Sequence, residues 1–225
     1  MRHFNIAIDG PAGAGKSTIA KAAAKKLGFI YVDTGAMYRA MAVYFLDRGI
    51  GSQEEEKIRE ACGSAEITIR HEDGRQQVFL NGENVSGRIR TQEVGEMASR
   101  ISVYLPVREK LVKLQQQLAK TSQVIMDGRD IGTCVLPDAQ AKIYLTASTR
   151  VRAERRLKEL LEKGLECSLE EIEEEIKERD YRDMHREQSP LRQAEDAVLL
   201  DTSQMDPEQV TERIIAIAKE RGLEI

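Results

Sequence analysis

The stretch that decides the fold is G-P-A-G-A-G-K-S, which occupies Gly10–Ser17. It matches the pattern G-x-x-x-x-G-K-[ST] at every fixed position. The residues before it, His3–Asp9, alternate apolar side chains as a strand does, and they lead directly into the glycines. The residues after it, Lys16–Leu27, are rich in Ala and Lys and predict a helix that stops at Gly28. A glycine-rich loop between a strand and a helix predicts a phosphate-binding turn.

The chemistry of this loop follows from its residue types. Glycines allow successive backbone N–H groups to point inward and surround phosphate oxygens, and the helix places its positive dipole end on the same anion. Lys16 would supply a charge to the β- and γ-phosphates, and the Ser17 hydroxyl would bind Mg²⁺ directly. The predicted ATP-binding residues are Gly10, Pro11, Ala12, Gly13, Ala14, Gly15, Lys16, Ser17 and Thr18. The loop alone predicts ATP or GTP and no particular acceptor, because GTPases, motor ATPases and small kinases share it.

Four later segments also have strand character, and helical patterns separate them. The strands are predicted at Phe29–Val32, Gln123–Asp127, Ala141–Leu145 and Ala197–Leu200. Strands that alternate with helices indicate a parallel sheet covered on both faces. The predicted fold class is therefore α/β, a three-layer P-loop NTPase fold with a five-stranded parallel sheet. Its active site should lie at the carboxyl ends of the strands.

A second kind of pattern interrupts this alternation. Ala65–Arg70 alternates with period two, and Gln77–Leu80 is a second β-rich run. The dipeptides Asp73-Gly74 and Asn81-Gly82 are tight-turn signals beside these runs. The pattern predicts a small antiparallel β insert.

Helical patterns account for most of the remainder. They are expected at about Gly35–Gly49, at Gln92–Lys120 with an interruption near Pro106, in two charged segments split by Gly164, and at Pro207–Arg221. The second charged segment begins at Ser168 with Glu171 three residues later, which is a capping box.

Candidate acceptor residues follow two of the predicted strands. Asp33 and Thr34 end the second strand, and Arg39 lies one helical turn further on. The segment Met126–Gly132, M-D-G-R-D-I-G, places two carboxylates and an arginine after a buried strand, where charges need partners. Asp127 is expected to contact Mg²⁺ through water.

A third group of candidates lies on the last charged helix. Arg179, Arg182, Asp183 and Arg186 are spaced at i, i+3, i+4 and i+7, which predicts one shared face. Ile172 and Ile176 extend the same row toward the start of the helix, so apolar packing would anchor that end. The pattern favours a short helical lid whose guanidinium groups close over phosphates.

Composition excludes several classes of protein. The formal net charge is −4, which argues against a broad basic surface for nucleic acid. Three scattered cysteines favour neither a disulfide framework nor a thiolate metal site. We expect no membrane partner, since no apolar run reaches the ~18 residues of a span, and no signal pattern is visible. A cytoplasmic location is expected from these two observations, and a monomer is expected because no exposed apolar helix stripe is left over.

At these residues the chain resembles the bacterial cytidylate (CMP/dCMP) kinases. The matching motifs, in order, are G-P-A-G-A-G-K-S at Gly10–Ser17, D-T-G-A-M-Y-R at Asp33–Arg39, T-Q-E-V-G at Thr91–Gly95, D-G-R-D-I-G-T at Asp127–Thr133 and E-R-D-x-R-D at Glu178–Asp183. The first motif is generic, but the five together are specific to this family.

The resemblance implies a reaction and a role for nine individual residues. ATP with Mg²⁺ would phosphorylate CMP or dCMP. Base contacts would come from Ser99, Arg108 and Asp130, and sugar contacts from Thr34, Arg179 and Asp183. The acceptor phosphate would meet Arg39, Arg129 and Arg186, so Lys16, Arg129 and Arg186 are the expected catalytic residues. Thr34 stands where many relatives have Ser, and both offer a hydroxyl.

The resemblance also implies a division of the chain, within a single kinase domain of residues 1–225. The core would comprise about 1–35, 86–150 and 190–225, the nucleoside monophosphate (NMP) region with its β insert about 36–85, and the lid about 151–189. Two alternatives stay open on the sequence. One is a different small P-loop kinase, such as an adenylate or shikimate kinase, against which the β insert and D-G-R-D argue. The other is a nucleotide-dependent switch, although an N-K-x-D guanine motif is absent.

Overall fold

The computed structural model describes residues 3–72, 75–162 and 164–224. The strands are β1 (Ile6–Asp9), β2 (Ile30–Asp33), β3 (Ile67–Glu72), β4 (Arg75–Leu80), β5 (Glu83–Asn84), β6 (Val124–Gly128), β7 (Ala141–Thr146) and β8 (Val198–Asp201). The α-helices are α1 (Lys16–Leu27), α2 (Thr34–Leu46), α3 (Glu55–Cys62), α4 (Gln92–Ile101), α5 (Leu105–Thr121), α6 (Thr149–Glu162), α7 (Leu169–His185) and α8 (Pro207–Glu220). A 3₁₀ turn at Arg88–Arg90 and a π-helical turn at Ile131–Val135 complete the regular structure.

Two compact units make up the chain. The first unit comprises residues 1–31 and 122–225, and the second comprises residues 32–121. The predicted division into core, NMP region and lid remains a prediction, because it concerns the roles of segments in binding.

The first unit is built on a five-stranded sheet in the order β2-β6-β1-β7-β8. The central strand β1 pairs parallel to both neighbours, with Ile6 opposite Ile125 on one side and Ala141 on the other. Its apolar residues are fully buried, as expected for a central strand covered on both faces. Helices α1 and α8 pack together over this core, which confirms the predicted α/β fold.

Glycine is required where β1 enters the phosphate loop. Gly10 has φ of +148°, and a Cβ atom built on it would lie 1.9 Å from the carbonyl oxygen of Leu145 on β7. No side chain fits that space, so the close approach of loop and strand depends on this glycine. The helix that follows ends at Leu27, with Gly28 in the left-handed conformation at φ of 69°, as predicted.

The second unit contains the antiparallel insert. Its sheet has the order β3-β4-β5, and β3 pairs antiparallel to β4 with Ile67 opposite Leu80. The predicted turn at Asn81-Gly82 is confirmed, with φ values of 48° and 84° that suit a type I′ hairpin. The turn expected at Asp73-Gly74 lies outside the described residues.

Helix α3 in this unit was not predicted. It has eight residues, and its buried side chains are Ile58 and Cys62, four positions apart. Two apolar positions are too few to establish a helical period in the sequence. We attribute the helical conformation of this segment to its packing against α5 and α2.

The two charged helices near the end of the chain are confirmed. Gly164 separates them with φ of +73°, and Ser168 and Glu171 form the predicted capping box at the start of α7. Among residues 3–72, 75–162 and 164–224, no helix has both the length and the apolar character needed to cross a membrane.

Candidate active site

The phosphate loop lies between β1 and α1, at the carboxyl end of the central strand. Gly13 and Gly15 both have left-handed backbone conformations, with φ of 74° and 83°. Residues in that conformation between right-handed neighbours turn consecutive N–H groups toward one point, which is how backbone nests bind anions. Gly15 caps α1 without a side-chain hydrogen bond, so an anion would complete the start of that helix.

Lys16 is buried beside this loop, with 6% of its surface exposed. Its Nζ donates to the carbonyl oxygen of Pro11 at 2.7 Å. Burial lowers the pKa of the Lys16 ammonium well below its usual value, and the positive charge of Arg129 lowers it further, followed by that of Arg179. Nearby Asp127 and Asp183 oppose these effects. The positive charges of Lys16, Arg129 and Arg179, which come from three segments of the first unit, therefore lie close enough to repel one another.

Asp127 joins the first helix to the end of β6. Its Oδ2 accepts the hydroxyl of Ser17 at 2.9 Å, and its Oδ1 accepts the hydroxyl of Tyr31 at 2.8 Å. Tyr31 was not among the site residues predicted from the sequence. A hydroxyl and a carboxylate are hard oxygen donors of the kind that Mg²⁺ prefers, so these residues fit the predicted ion.

Protein side chains alone would not complete such a site. Within the part of the chain that the structure describes, no group of three or more His, Cys, Asp or Glu residues could hold a metal ion. This matches the usual behaviour of Mg²⁺ in kinases, where one or two protein oxygens are supplemented by water and substrate phosphates.

Arg129 and Asp183 form an ion pair between the segment after β6 and helix α7. Nε of Arg129 donates to Oδ2 of Asp183 at 2.8 Å. Burial opposes ionisation of both groups. The attraction outweighs it, so the pKa of Asp183 is lowered and that of Arg129 is raised. Arg129 thus has a fixed orientation and a permanent charge.

Arg186 and Asp130 form a second pair in the same unit. Nη2 of Arg186 lies 3.5 Å from Oδ1 of Asp130, and both side chains are more than nine-tenths buried. Nε of Arg186 also donates to the carbonyl oxygen of Ser189 at 2.8 Å. The structure therefore brings the predicted residues Arg129, Asp130, Asp183 and Arg186 into two ion pairs.

Two buried carboxylates in this unit were missed by the sequence analysis. Asp9 ends β1, and its two oxygens accept the backbone N–H groups of Ile131 and Gly132 at 2.7 Å each. Burial raises the pKa of Asp9 to about 6, although both hydrogen bonds lower it. Asp9 thereby fixes the backbone directly after Asp130. Its place immediately before the first loop glycine was the available signal.

The second missed carboxylate is Asp180 on α7. It is buried, whereas Arg182 is exposed. The prediction that Arg182 lies on the inward face of this helix was therefore wrong. The residue on that face is Asp180, which follows Ile172 and Ile176 at intervals of four residues. That spacing was the signal in the sequence.

In the second unit, Asp33 and Thr34 lie at the start of α2. Asp33 caps the helix by accepting the N–H of Ala36 at 2.9 Å, and Thr34 is buried. The side-chain amide of Gln76, on β4, accepts from the Asp33 N–H at 2.8 Å and donates to its carbonyl oxygen at 3.1 Å. The β insert thus fixes the backbone of Asp33, the residue directly before Thr34.

Arg39 lies against the T-Q-E-V-G motif. Its Nη1 donates to the carbonyl oxygen of Ile89 at 3.1 Å. A Cβ atom on Gly95 would be 3.0 Å from Nη1 and 3.2 Å from Nη2 of Arg39. The glycine of this motif therefore leaves room for the guanidinium group, which explains why the motif ends in glycine.

Arg108 and Ser99 complete the predicted residues of this unit. Arg108 is buried, and its Nη1 lies 3.4 Å from both the Tyr38 hydroxyl and the Ser102 carbonyl oxygen. The Ser102 hydroxyl donates to the Ser99 carbonyl oxygen at 2.7 Å. These contacts hold the C-terminal turn of α4 next to Arg108.

Each unit thus holds its own set of predicted residues. The first contains Gly10–Thr18, Asp127, Arg129, Asp130, Arg179, Asp183 and Arg186, and the second contains Thr34, Arg39, Ser99 and Arg108.

Similarity to known proteins distinguishes cytidylate kinases from the other small P-loop kinases. The family model for cytidylate kinase matches residues 6–220. The chain belongs to the cytidylate kinase family. Membership confirms the family predicted from the motifs and, with it, an ATP-dependent enzyme that transfers a phosphoryl group to CMP or dCMP. The alternatives of another small kinase and of a nucleotide switch are set aside.

Relatives named cytidylate kinase match over nearly their whole length. The protein of Caldicellulosiruptor saccharolyticus is 53% identical over 217 residues, covering 96% of both chains. That of Lactobacillus johnsonii is 48% identical, covering 97% of this chain and 95% of the relative. That of Bacillus cereus is 47% identical, covering 96% of both.

Solved structures with low identity support the fold. An uncharacterized protein from Eubacterium ventriosum has a TM-score of 0.55 at 11% identity, covering 96% of this chain and 99% of that one. The protein TT1252 from Thermus thermophilus has a TM-score of 0.51 at 17% identity, with full coverage of both chains. At such identities the likeness concerns the fold alone.

Proposed function

We propose that this cytidylate kinase transfers the γ-phosphoryl group through Lys16, Arg129 and Arg186, with ATP bound at Gly10–Thr18. The observation that carries the proposal is the cluster of charge around Lys16. Burial and the charges of Arg129 and Arg179 disfavour its ammonium form, so the folded chain tolerates repulsion among buried cations. Phosphate oxygens relieve such repulsion, and the backbone loop beside Lys16 supplies N–H donors to the same anion.

The acceptor is assigned residue by residue. Arg39, Arg129 and Arg186 bind its phosphate, Thr34, Arg179 and Asp183 contact its sugar, and Ser99, Arg108 and Asp130 contact its base. The ion pair with Asp183 fixes the guanidinium plane of Arg129, which favours bidentate recognition of phosphate. A carboxylate and a hydroxyl suit the exocyclic amine of cytosine, and a site built for an amine disfavours the carbonyl of uracil.

Mg²⁺ is the proposed cofactor, held by Ser17 directly and by Asp127 through water. When bound, the ion neutralises charge on the β- and γ-phosphates. The residues of the chain have their own tasks. Asp127 orients the Ser17 hydroxyl, and Lys16 and the arginines screen repulsion between the two nucleotides.

The chemistry requires positioning more than proton transfer. The acceptor phosphate is already an anion near neutral pH, so a strong general base is unnecessary, and the transition state spreads charge over the equatorial oxygens. Water must be excluded, or ATP would be hydrolysed. We assign that task to the lid, residues 151–189, whose helix α7 carries Arg179 and Asp183.

A pair of variants on neighbouring turns tests the assignment. Arg186→Gln removes a buried guanidinium, and Arg182→Gln removes an exposed one from the same helix terminus. Steady-state assays with ATP and CMP should show a loss of about 100-fold or more in kcat/KM for Arg186→Gln. Arg182→Gln should stay within about twofold of the unmodified enzyme. Equal losses in both variants would remove Arg186 from the proposed set.

A further inference from the structure

Helices α6 and α7 pack directly on the phosphate loop. They form a hairpin around a small apolar cluster that includes Ala153, Ile172 and Ile176. A Cβ atom on Gly13 would lie 3.3 Å from Cβ of Arg152 and 3.7 Å from Cδ1 of Ile176. Loop and hairpin therefore have little room to move past one another.

A buried ion pair fastens this contact. Nη1 of Arg152, on α6, lies 2.6 Å from Oδ2 of Asp180, on α7. The same Nη1 donates to the carbonyl oxygen of Ala12 at 2.8 Å, and Oδ1 of Asp180 accepts the N–H of Ala12 at 3.1 Å. The backbone carbonyl and N–H of Ala12 are thus both hydrogen-bonded, the first to Arg152 and the second to Asp180.

Further hydrogen bonds fix the orientation of Arg152. Its Nε donates to the carbonyl oxygen of Ala147 at 2.9 Å, and its Nη2 donates to the Thr149 hydroxyl at 3.1 Å. Arg152 and Asp180 are 5% and 8% exposed. A buried pair of this kind contributes little net stability compared with apolar side chains of similar size, because both charges lose their hydration. Its value lies in the backbone geometry that it specifies.

Helix α7 connects this pair to the acceptor residues. Asp180 follows Arg179 directly, and Asp183 lies three residues later and binds Arg129. One rigid helix therefore contacts the ATP loop through Asp180 and carries two residues assigned to CMP. An ordered loop favours one position of the helix, and the helix in that position favours an ordered loop.

We propose that Arg152 and Asp180 are positioning residues that couple ATP binding to CMP binding through α7. The proposal rests on the acceptor roles assigned above to Arg179 and Asp183. Each ligand should strengthen the binding of the other by the same factor, since coupling between two sites is reciprocal. Neither residue needs to touch a substrate for this effect.

The coupling is measured by titration calorimetry of CMP with and without a non-hydrolysable ATP analogue and Mg²⁺. In the unmodified enzyme the analogue should tighten CMP binding about fivefold or more. In Asp180→Asn, which keeps the size of the side chain and loses the ion pair, that factor should fall toward one. The Kd of the ATP analogue should rise more than the Kd of CMP measured without the analogue.

A matched control lies on the same two helices. Arg150 and Glu173 form an ion pair across α6 and α7, at 3.4 Å, with side chains that are 52% and 22% exposed. Glu173→Gln should leave the coupling factor unchanged. If Asp180→Asn fails to fold, Arg152→Lys serves instead, because it keeps the charge but loses the planar fork that reaches Ala12 and Ala147 together.

The outcomes separate this proposal from the function on which it rests. An unmodified enzyme that phosphorylates neither CMP nor dCMP would contradict the function on which the proposal rests. An active enzyme whose coupling factor is one, or is unchanged in folded Asp180→Asn or Arg152→Lys, would contradict only the role of the ion pair. If Glu173→Gln lowered the coupling factor as much as Asp180→Asn does, the loss would reflect a general loosening of the two helices, and the proposal would be overturned.

Discussion

Asp9 accepts the backbone N–H of Gly132 at 2.7 Å, across the pair of parallel strands β1 and β6. Its second oxygen accepts the N–H of Ile131 at the same distance. The residue before the phosphate loop therefore fixes the backbone after Asp130. A single side chain therefore joins the carboxyl end of β1 to the segment that follows β6.

This contact predicts a pH dependence of stability. Burial raises the pKa of folded Asp9 to about 6 from an ordinary value of 3.8. The folded state then binds more protons than the unfolded state between these values, so stability due to Asp9 is present below about pH 4 and lost by about pH 6. This rise in the pKa of Asp9 corresponds to about 3 kcal/mol of stability.

Denaturant unfolding of the unmodified protein and of Asp9→Asn measures this effect. Subtracting the two curves removes the contribution of other titrating groups. The advantage of the unmodified protein should fall as pH rises from 4 to 7. A difference for Asp9→Asn that rises with pH would refute the inferred shift.

Gly95→Ala should weaken CMP binding without unfolding the protein. The new Cβ would lie 3.0 Å from Nη1 of Arg39, so the guanidinium group must move. We expect the KM for CMP to rise by about tenfold, in line with a poorer charge-assisted contact to phosphate, and the KM for ATP to stay nearly constant. Gly63→Ala is the control in the same unit, because its Cβ meets no atom within 4 Å. Equal KM values for CMP in both variants would show that Arg39 is not displaced from a working position.

Lys16→Met should abolish turnover and raise thermal stability. The ammonium is disfavoured in the folded state by burial and by Arg129, so its lowered pKa marks a stability cost whenever the group is charged. A methionine removes that cost but cannot bind phosphate. The melting temperature should increase while kcat falls by more than about 1000-fold.

The control for this change is Lys25→Met on the exposed face of the same helix. It should alter neither kcat nor the melting temperature appreciably. A lower melting temperature for Lys16→Met than for Lys25→Met would contradict the inferred cost of burying the charge.

Asp130→Ala should change the choice between CMP and UMP. The variant also releases Arg186 from its ion pair, which lowers turnover for both acceptors. The ratio of their kcat/KM values cancels that common loss and reports on the base alone. We expect the preference for CMP to fall by about tenfold or more, and Asp138→Ala to leave it unchanged. A constant ratio in Asp130→Ala would remove the residue from base recognition.

Local patterns predicted much of this fold. The loop at Gly10–Ser17, the helix end at Gly28, the turn at Asn81-Gly82 and the capping box at Ser168 all depend on neighbours within a few residues. Such features are specified by backbone conformation and short-range hydrogen bonds, which the sequence displays directly.

Contacts between distant segments were not predictable in the same way. Asp9 meets Ile131 across 122 positions, and Asp180 meets Ala12 across 168. Neither carboxylate belongs to a motif that names its partner, so only the fold brings them together. Arg182 was misplaced because it lies at one edge of the predicted row, turned away from the side of the helix that Ile172, Ile176 and Asp180 bury.

The most direct test of the account is a side-by-side assay of ADP formation from ATP and Mg²⁺ with CMP, dCMP, UMP, AMP and GMP as acceptors. The account predicts the highest kcat/KM for CMP or dCMP, a lower value for UMP and the lowest values for the purine nucleotides. A higher kcat/KM for AMP or GMP than for CMP and dCMP, or ADP formation that no acceptor accelerates, would contradict it.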